Sequence, residues 1–117
     1  MVTDITRGEL QQKLEHPKGS VLLEALPPEN YRHAHIPGAL NTPPDQVRTL
    51  ASELVPRKDK DMEVIVYCAG PTCHASEQVA EELTAMGYSE VRRYAGGKSD
   101  WMRAGLPTVS DENQPAA

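Results

Sequence analysis

Residues 64–75 read VIVYCAGPTCHA, and this stretch decides the fold. Its first four residues are apolar and mostly β-branched, a composition typical of a short buried strand. The Gly-Pro pair that follows indicates a tight loop. Apolar side chains then recur at helical spacing from Ala75 onwards. The stretch therefore predicts a strand, a loop that carries Cys68 and Cys73, and a helix.

The alternation of helix and strand continues in both directions. Thr6 and Glu9 form a capping box that begins a helix. The nearly continuous apolar run over 20–26 is typical of a strand that is covered on both faces. The remaining predicted elements are a short helical turn and loop over 29–43, a helix that opens at Pro43–Asp45, a strand over 91–94 and a helix over 98–104. This order predicts an α/β domain in three layers, with a small central parallel sheet flanked by helices.

Length and charge narrow the class of protein. The chain has 117 residues, which suits one domain, and we expect that domain over residues 1–108 with a polar, flexible tail over 109–117. Twelve basic against 17 acidic residues give a formal charge of −5, which argues against nucleic acid as the main partner. No stretch resembles a signal peptide or a membrane span, so we expect a cytoplasmic protein with no membrane partner.

Cys68 stands where a predicted parallel strand gives way to a loop and a helix. Sites of open α/β sheets lie at the carboxyl ends of their strands. Inward-facing loop amides and a helix N-terminus both favour a thiolate, which is the nucleophilic form of cysteine. The pattern therefore predicts Cys68 as a nucleophile in a loop that cradles an anion or a persulfide. The predicted loop residues are Ala69, Gly70, Pro71, Thr72, Cys73 and His74.

Three motifs in order resemble those of the single-domain rhodaneses, a family of sulfurtransferases. The first is LLE at 22–24 followed by NYRHAHIPGA at 30–39, the second is VYC at 66–68 with its loop, and the third is YAGGKSDWMRAGLP at 94–107. The resemblance covers residues 4–108. It implies the rhodanese-like fold and the subset with a Cys-x-Gly-Pro-x-Cys loop.

The resemblance also implies a sulfurtransferase reaction. Cys68 takes the outer sulfur of thiosulfate, a persulfide or a polysulfide and passes it from a persulfide to cyanide, a small thiol or a protein acceptor. Neither a metal nor an organic cofactor is implied. Two rival hypotheses remain open: a binding or regulatory module on the same fold without turnover, and a Cys68/Cys73 dithiol redox protein.

The sequence departs from the family pattern at two places. The family's Asp-Val-Arg after the second-strand hydrophobics is replaced by Glu24-Ala25-Leu26, so the arginine's charge pair is missing or rebuilt. Residues 69–73 carry no charge, so backbone dipoles, with His74 as a helper, would bind an anionic donor. We therefore expect weak activity with thiosulfate. An arginine at position 74 would have indicated a phosphatase loop, but His74 occupies it.

Other residues receive simpler predictions. Cys73 is either a resolving thiol for Cys68 or a loop residue without a role, because bonding depends on geometry that sequence does not contain. Zinc held by Cys68, Cys73 and His74, with His33 or His35 as the fourth ligand, is a further alternative, although the spacing matches no common zinc motif. Glu24 and His35 are expected to order the loops, and Trp101 is expected to fill the core. We expect Arg92, Arg93 and Lys98 on a solvated face, with one at the mouth of the site as the alternative.

Overall fold

The middle strand of the sheet is the one predicted from residues 64–67. The protein was examined as a computed structural model, which describes residues 2–16, 19–54 and 60–111. Within these ranges the strands are β1 (Val2–Asp4), β2 (Ser20–Glu24), β3 (Leu40–Asn41), β4 (Glu63–Tyr67) and β5 (Val91–Tyr94). The helices are α1 (Arg7–Glu15), α2 (Pro28–His33), α3 (Val47–Leu54, preceded by a 3₁₀ turn at Pro44–Gln46), α4 (Ala75–Ala85) and α5 (Gly97–Arg103).

The strands form one parallel sheet in the order β1-β5-β4-β2-β3. The predicted parallel sheet flanked by helices is therefore confirmed. The sequence did not reveal β1 and β3, which have three and two residues and only partly buried or exposed side chains. Strands this short carry no readable period, so their pairing to β5 and β2 is what defines them.

Both faces of β4 are buried, because successive side chains of a strand point to opposite faces. Val64 and Val66 pack on one face against α3 and α4, in a cluster that includes Ala51, Val79 and Leu83. Ile65 and Tyr67 pack on the other face in a cluster that includes Leu10, Ile36 and Trp101. Trp101 fills the core as predicted, and its indole Nε1 donates to Pro107 O at 2.8 Å. Because β4 is the middle strand, its carboxyl end lies at the centre of the edge where the parallel strands end.

Helix α1 begins at the predicted capping box. Thr6 Oγ1 accepts from the Glu9 amide at 3.1 Å, and Glu9 Oε1 accepts from the Thr6 amide at 3.1 Å. The hydrogen bond from the Thr6 backbone is the main reason why the pKa of Glu9 lies below its usual range. Ile5 and Leu10 are both buried beneath this cap, in the arrangement of a hydrophobic staple.

The first residues assigned to the tail are hydrogen bonded to the domain. His35 and Val109 form an antiparallel bridge with N–H···O distances of 2.9 and 2.8 Å. The Asp111 amide donates to Arg32 O at 2.8 Å. These contacts hold residues 109–111 against α2, whereas residues 112–117 lie outside the described residues. Among the helices that the structure describes, none has the length and apolar character needed to cross a membrane.

Candidate active site

Cys68 directly follows β4 and is 1% exposed. The loop 69–74 separates it from the first residue of α4, Ala75. Cys68 Sγ lies 3.3 Å from Cys73 O and 3.4 Å from Ser76 Oγ. The predicted nucleophile thus occupies the carboxyl end of the middle strand, next to the beginning of an eleven-residue helix.

Cys73 returns to Cys68 across the loop. The two cysteines are joined as a disulfide, with a Cα–Cα distance of 6.3 Å. The Cys73 amide donates to Gly70 O at 3.1 Å and closes the turn. The structure therefore places the two cysteines of the predicted loop in direct contact, which sequence spacing alone could not establish.

His74 lies away from the sulfur atoms. Its side chain is 77% exposed, and its Nδ1 lies 3.4 Å from Glu77 Oε2. Thr72 is also exposed. Within the described residues, no three His, Cys, Asp or Glu side chains are grouped so that they could hold a metal ion. The zinc alternative therefore has no ligand cluster there.

Ser76 and Arg93 form a polar contact behind Cys68 that sequence reasoning missed. Ser76 is buried and accepts a hydrogen bond from Arg93 Nε at 3.0 Å, while its Oγ faces the Cys68 sulfur. Arg93 Nη1 also lies 3.6 Å from Glu77 Oε1. The Arg93 side chain is 14% exposed, so the solvated face expected for it is wrong. One hydroxyl group separates a guanidinium from the candidate nucleophile.

The sheet register explains how Arg93 reaches the site. Arg93 pairs with Val66, and Val66 and Cys68 point to the same face because they are two residues apart. Arg92 pairs with Ile65 and therefore points to the opposite face, where its Nε lies 3.1 Å from Glu63 Oε2. The register of β5 on β4 determines that Arg93 faces the site, and the sequence alone does not reveal this register.

Glu24 is completely buried at the end of β2, and Lys98 supplies its charge partner. Glu24 Oε1 accepts from Tyr67 OH at 2.6 Å and lies 3.1 Å from Lys98 Nζ. Tyr67 OH in turn accepts from the Ile36 amide at 3.1 Å. Burial, and then the neighbouring Glu24 carboxylate, raise the pKa of Tyr67 far above its usual range. Leu26 stands where the family pattern has an arginine, and Lys98 on α5 supplies the positive charge beside Glu24 instead.

Lys98 was expected on a solvated face, but its side chain is only 12% exposed. Its Nζ also donates to Asn30 O at 3.0 Å, and its amide donates to Cys68 O at 2.8 Å. The next amide, of Ser99, donates to Ala69 O at 2.8 Å. Helix α5 therefore docks directly on the start of the cysteine loop.

Gly97 makes this docking close. Its φ is +68°, and a Cβ built on it would lie 2.6 Å from Cys68 O and 2.8 Å from the Gly70 nitrogen. An L-amino acid with a side chain would thus be strained by its backbone conformation and would also collide with the loop backbone. The second glycine of the pair before Lys98 is therefore needed for steric reasons.

His35 lies in the segment after α2. Its Nδ1 lies 2.8 Å from Tyr31 O, and its ring stacks on the Tyr31 ring with centroids 3.7 Å apart. The Tyr31 hydroxyl donates to Ala39 O at 2.6 Å. His35 thus has contacts of the loop-ordering kind that the sequence predicts for it.

A cleft of about 350 Å³ opens beside the cysteine loop, between α2 and α5. Leu26 and Met102 contribute apolar walls, while Asn30 and Lys98 contribute polar groups. Ala69, the residue after Cys68, forms part of its lining. The cleft therefore gives small molecules a path to the loop.

Comparisons with known proteins agree with the motifs and the fold. The rhodanese-like domain model matches residues 6–104. An HTH-type transcriptional regulator of Mycobacterium tuberculosis is 35% identical over 112 residues, which cover 95% of this chain and 46% of the regulator. A thiosulfate sulfurtransferase of Escherichia coli is 42% identical over 74 residues, which cover 62% of this chain and 65% of that protein.

A solved structure gives the same result for the fold. The solution structure of a rhodanese-like domain from Anabaena has a TM-score of 0.80 and 25% identity, with coverage of 100% of this chain and 86% of that one. The chain spans less than two-thirds of the length of the two curated relatives above. The family model covers most of the chain, and this chain belongs to the rhodanese-like domain family.

Proposed function

We propose that this chain transfers a sulfane sulfur from a donor to a thiophilic acceptor through a persulfide on Cys68. The observation that carries the proposal is the position of Cys68 at the carboxyl end of β4, with Ser76 beside its sulfur and Arg93 bonded to Ser76. The sulfurtransferase among its relatives supports sulfur transfer as the general class of chemistry.

The first step is an attack of the Cys68 thiolate on the outer sulfur of the donor. With thiosulfate, a Cys68 S–S bond forms, the donor S–S bond breaks, and sulfite leaves with the bonding electron pair. The product is a Cys68 persulfide anion, so charge is conserved. We expect the first turn of α4 to hold this anion together with the loop amides other than that of Cys73, which is bonded to Gly70 O; Pro71 has no amide to offer. The Arg93 charge, one hydroxyl group away, favours both the thiolate and the persulfide.

The second step passes the outer sulfur to the acceptor. A thiolate or cyanide attacks the outer sulfur, and Cys68 leaves as a thiolate. We expect a low rate with thiosulfate, because residues 69–73 carry no charge and the chain as a whole carries −5. Persulfide donors, free or held by a protein, suit the partly apolar cleft better. The cycle needs reduced Cys68, which suits a reducing compartment such as the cytoplasm.

The test is sulfur loading of reduced protein, read as intact mass. After incubation with a small persulfide such as glutathione persulfide and rapid desalting, Cys73→Ser should gain one sulfur atom. Cys68→Ser, which keeps Cys73 and the same loop length, is the matched control and should gain none. If sulfur loads equally on both variants, or on neither, Cys68 is not the carrier.

The regulator among the relatives favours a second candidate, a regulatory module that holds sulfur as a signal. The match with the regulator covers 95% of this chain. The two functions differ in turnover. An enzyme passes sulfur repeatedly to excess cyanide or thiol, whereas a regulatory module loads once and transfers slowly. Steady-state thiocyanate formation from the persulfide donor distinguishes them.

A further inference from the structure

We infer that Cys73 resolves the Cys68 persulfide, so that the domain releases the bound sulfur as hydrogen sulfide and forms the Cys68–Cys73 disulfide. This inference rests on the proposed function, because it needs a persulfide on Cys68. It adds a second outcome for that persulfide, reduction of the sulfur within the chain instead of transfer to an external acceptor.

Proximity is the first argument. The Cα atoms of Cys68 and Cys73 lie 6.3 Å apart, within the range that a disulfide needs without backbone movement, and the two sulfur atoms are bonded. The turn that brings Cys73 back is closed by its own amide on Gly70 O. The resolving thiol is therefore delivered to the inner sulfur, Cys68 Sγ, by a loop with its own hydrogen bond.

Burial is the second argument. Cys68 is 1% exposed, while Cys73 is half-buried and packs against the core cluster that contains Cys68. Cys73 already lies at the Cys68 sulfur, whereas an external acceptor has to enter the site from solvent. In the disulfide state Cys73 covers the nucleophile, so a new sulfur cannot load until the disulfide is reduced.

The step balances without an outside oxidant. The Cys73 thiol gives its proton to the outer sulfur of the persulfide anion, and the resulting Cys73 thiolate attacks Cys68 Sγ. The bond between Sγ and the outer sulfur breaks, and the outer sulfur leaves as HS⁻ with that proton. The two cysteines lose two electrons, and the sulfane sulfur gains them. A dithiol reductant then attacks the more exposed Cys73 sulfur, and Cys68 leaves as the thiolate, beside Ser76 and Arg93.

The test follows sulfide and mass together, under anaerobic conditions. Reduced wild-type protein is mixed with glutathione persulfide, desalted within seconds and incubated without added thiol. We expect one equivalent of sulfide per chain and a final mass that is two hydrogens below that of the reduced protein. Cys73→Ser should keep the added sulfur and release little sulfide, and Cys73→Ala should behave in the same way.

The outcomes separate the two proposals. If Cys73→Ser loads sulfur but the wild type also retains it without sulfide release, the resolving role is wrong and the persulfide carrier stands. If the wild type forms the disulfide equally fast after incubation without the donor, the release step is also wrong. If neither Cys73 variant loads sulfur, the proposed function fails, and the resolving role fails with it.

Discussion

Arg93 gives the candidate site a positive charge that the cysteine loop lacks between positions 69 and 73. The loop itself has no charged residue between positions 69 and 73, and the nearest polar side chain behind Cys68 is Ser76. Through Ser76, a guanidinium stands close to the sulfur in a largely buried setting. A positive charge within about 4–6 Å favours a thiolate over a thiol. The site thus has a cation, although it comes from the neighbouring strand.

Replacing Arg93 should make Cys68 less reactive at neutral pH. In a Cys73→Ser background, which leaves one thiol, we expect Arg93→Gln to move the pH midpoint of Cys68 alkylation up by about one unit. Arg92→Gln is the matched control, since Arg92 points to the opposite face of the same strand. The alkylation rate with iodoacetamide across pH measures both. Equal midpoints for the two variants would show that Arg93 has no electrostatic effect.

At the level of elements, α5 and the cysteine loop behave as one unit. Two consecutive backbone hydrogen bonds join them, from the amides of Lys98 and Ser99 to the carbonyls of Cys68 and Ala69. The Lys98 side chain then extends to Glu24 on β2 and to Asn30 on α2. Helix α5 therefore fixes the loop relative to the sheet and to one wall of the cleft.

Gly97→Ala tests this docking. Gly105→Ala is the control, because Gly105 also has a positive φ, +76°, but a Cβ there meets no atom within 4 Å. We expect the control to lose about 1 kcal/mol of unfolding free energy from backbone strain alone. Gly97→Ala should lose clearly more and should also lower sulfur transfer by about tenfold or more, because the loop must move.

Urea unfolding and transfer rates measure the two effects for the glycine variants. If both variants lose the same stability and Gly97→Ala keeps full activity, α5 does not position the loop.

The elements also show which parts of the fold were predictable. The strand at 64–67, the loop and α4 follow from local signals: a β-branched run, a Gly-Pro pair and helical spacing. The edge strands β1 and β3 were missed because a two- or three-residue strand is defined by its neighbours. Arg93 was missed for a related reason, since a residue's face depends on the register between strands. The Lys98–Glu24 pair joins residues 74 positions apart, and no local pattern reports it.

At the scale of the whole molecule, one hydrogen bond ties the end of the sheet to α5 and makes stability depend on pH. Tyr94 OH donates to Asp100 Oδ2 at 2.5 Å, and Arg7 Nη1 donates to Asp100 Oδ1 at 3.1 Å. The Tyr94 hydrogen bond, and then the Arg7 charge, hold the pKa of Asp100 below its usual range. Burial, and then Asp100, raise the pKa of Tyr94 above its usual range.

Both pKa shifts stabilise the fold at neutral pH, and the two contributions are lost at opposite ends of the pH scale. A lowered carboxyl pKa stabilises the fold above about pH 4, and this contribution is lost as pH falls through the lowered value. A raised tyrosine pKa stabilises the fold below about pH 10, and this contribution is lost as pH rises through the raised value.

Tyr94→Phe should therefore reduce the unfolding free energy most at neutral pH, by roughly 1 kcal/mol, and the difference from wild type should shrink below about pH 4. Urea unfolding from pH 3 to pH 8 measures this difference. Tyr88→Phe is the control, because Tyr88 is also buried while the Tyr94–Asp100 bond stays in place. A deficit for Tyr94→Phe that stays constant down to pH 3 would show that Asp100 is not stabilised through Tyr94.

The two shortest strands stand at the two edges of the sheet. An edge of two or three residues offers an incoming strand very few unpaired backbone groups. Another polypeptide would therefore gain little by extending the sheet, and the edges give weak templates for fibrous association. On the proposed function, a protein that delivers or collects sulfur would be recognised by side chains around the cleft, so specificity could change by surface substitution while the parallel sheet stays the same.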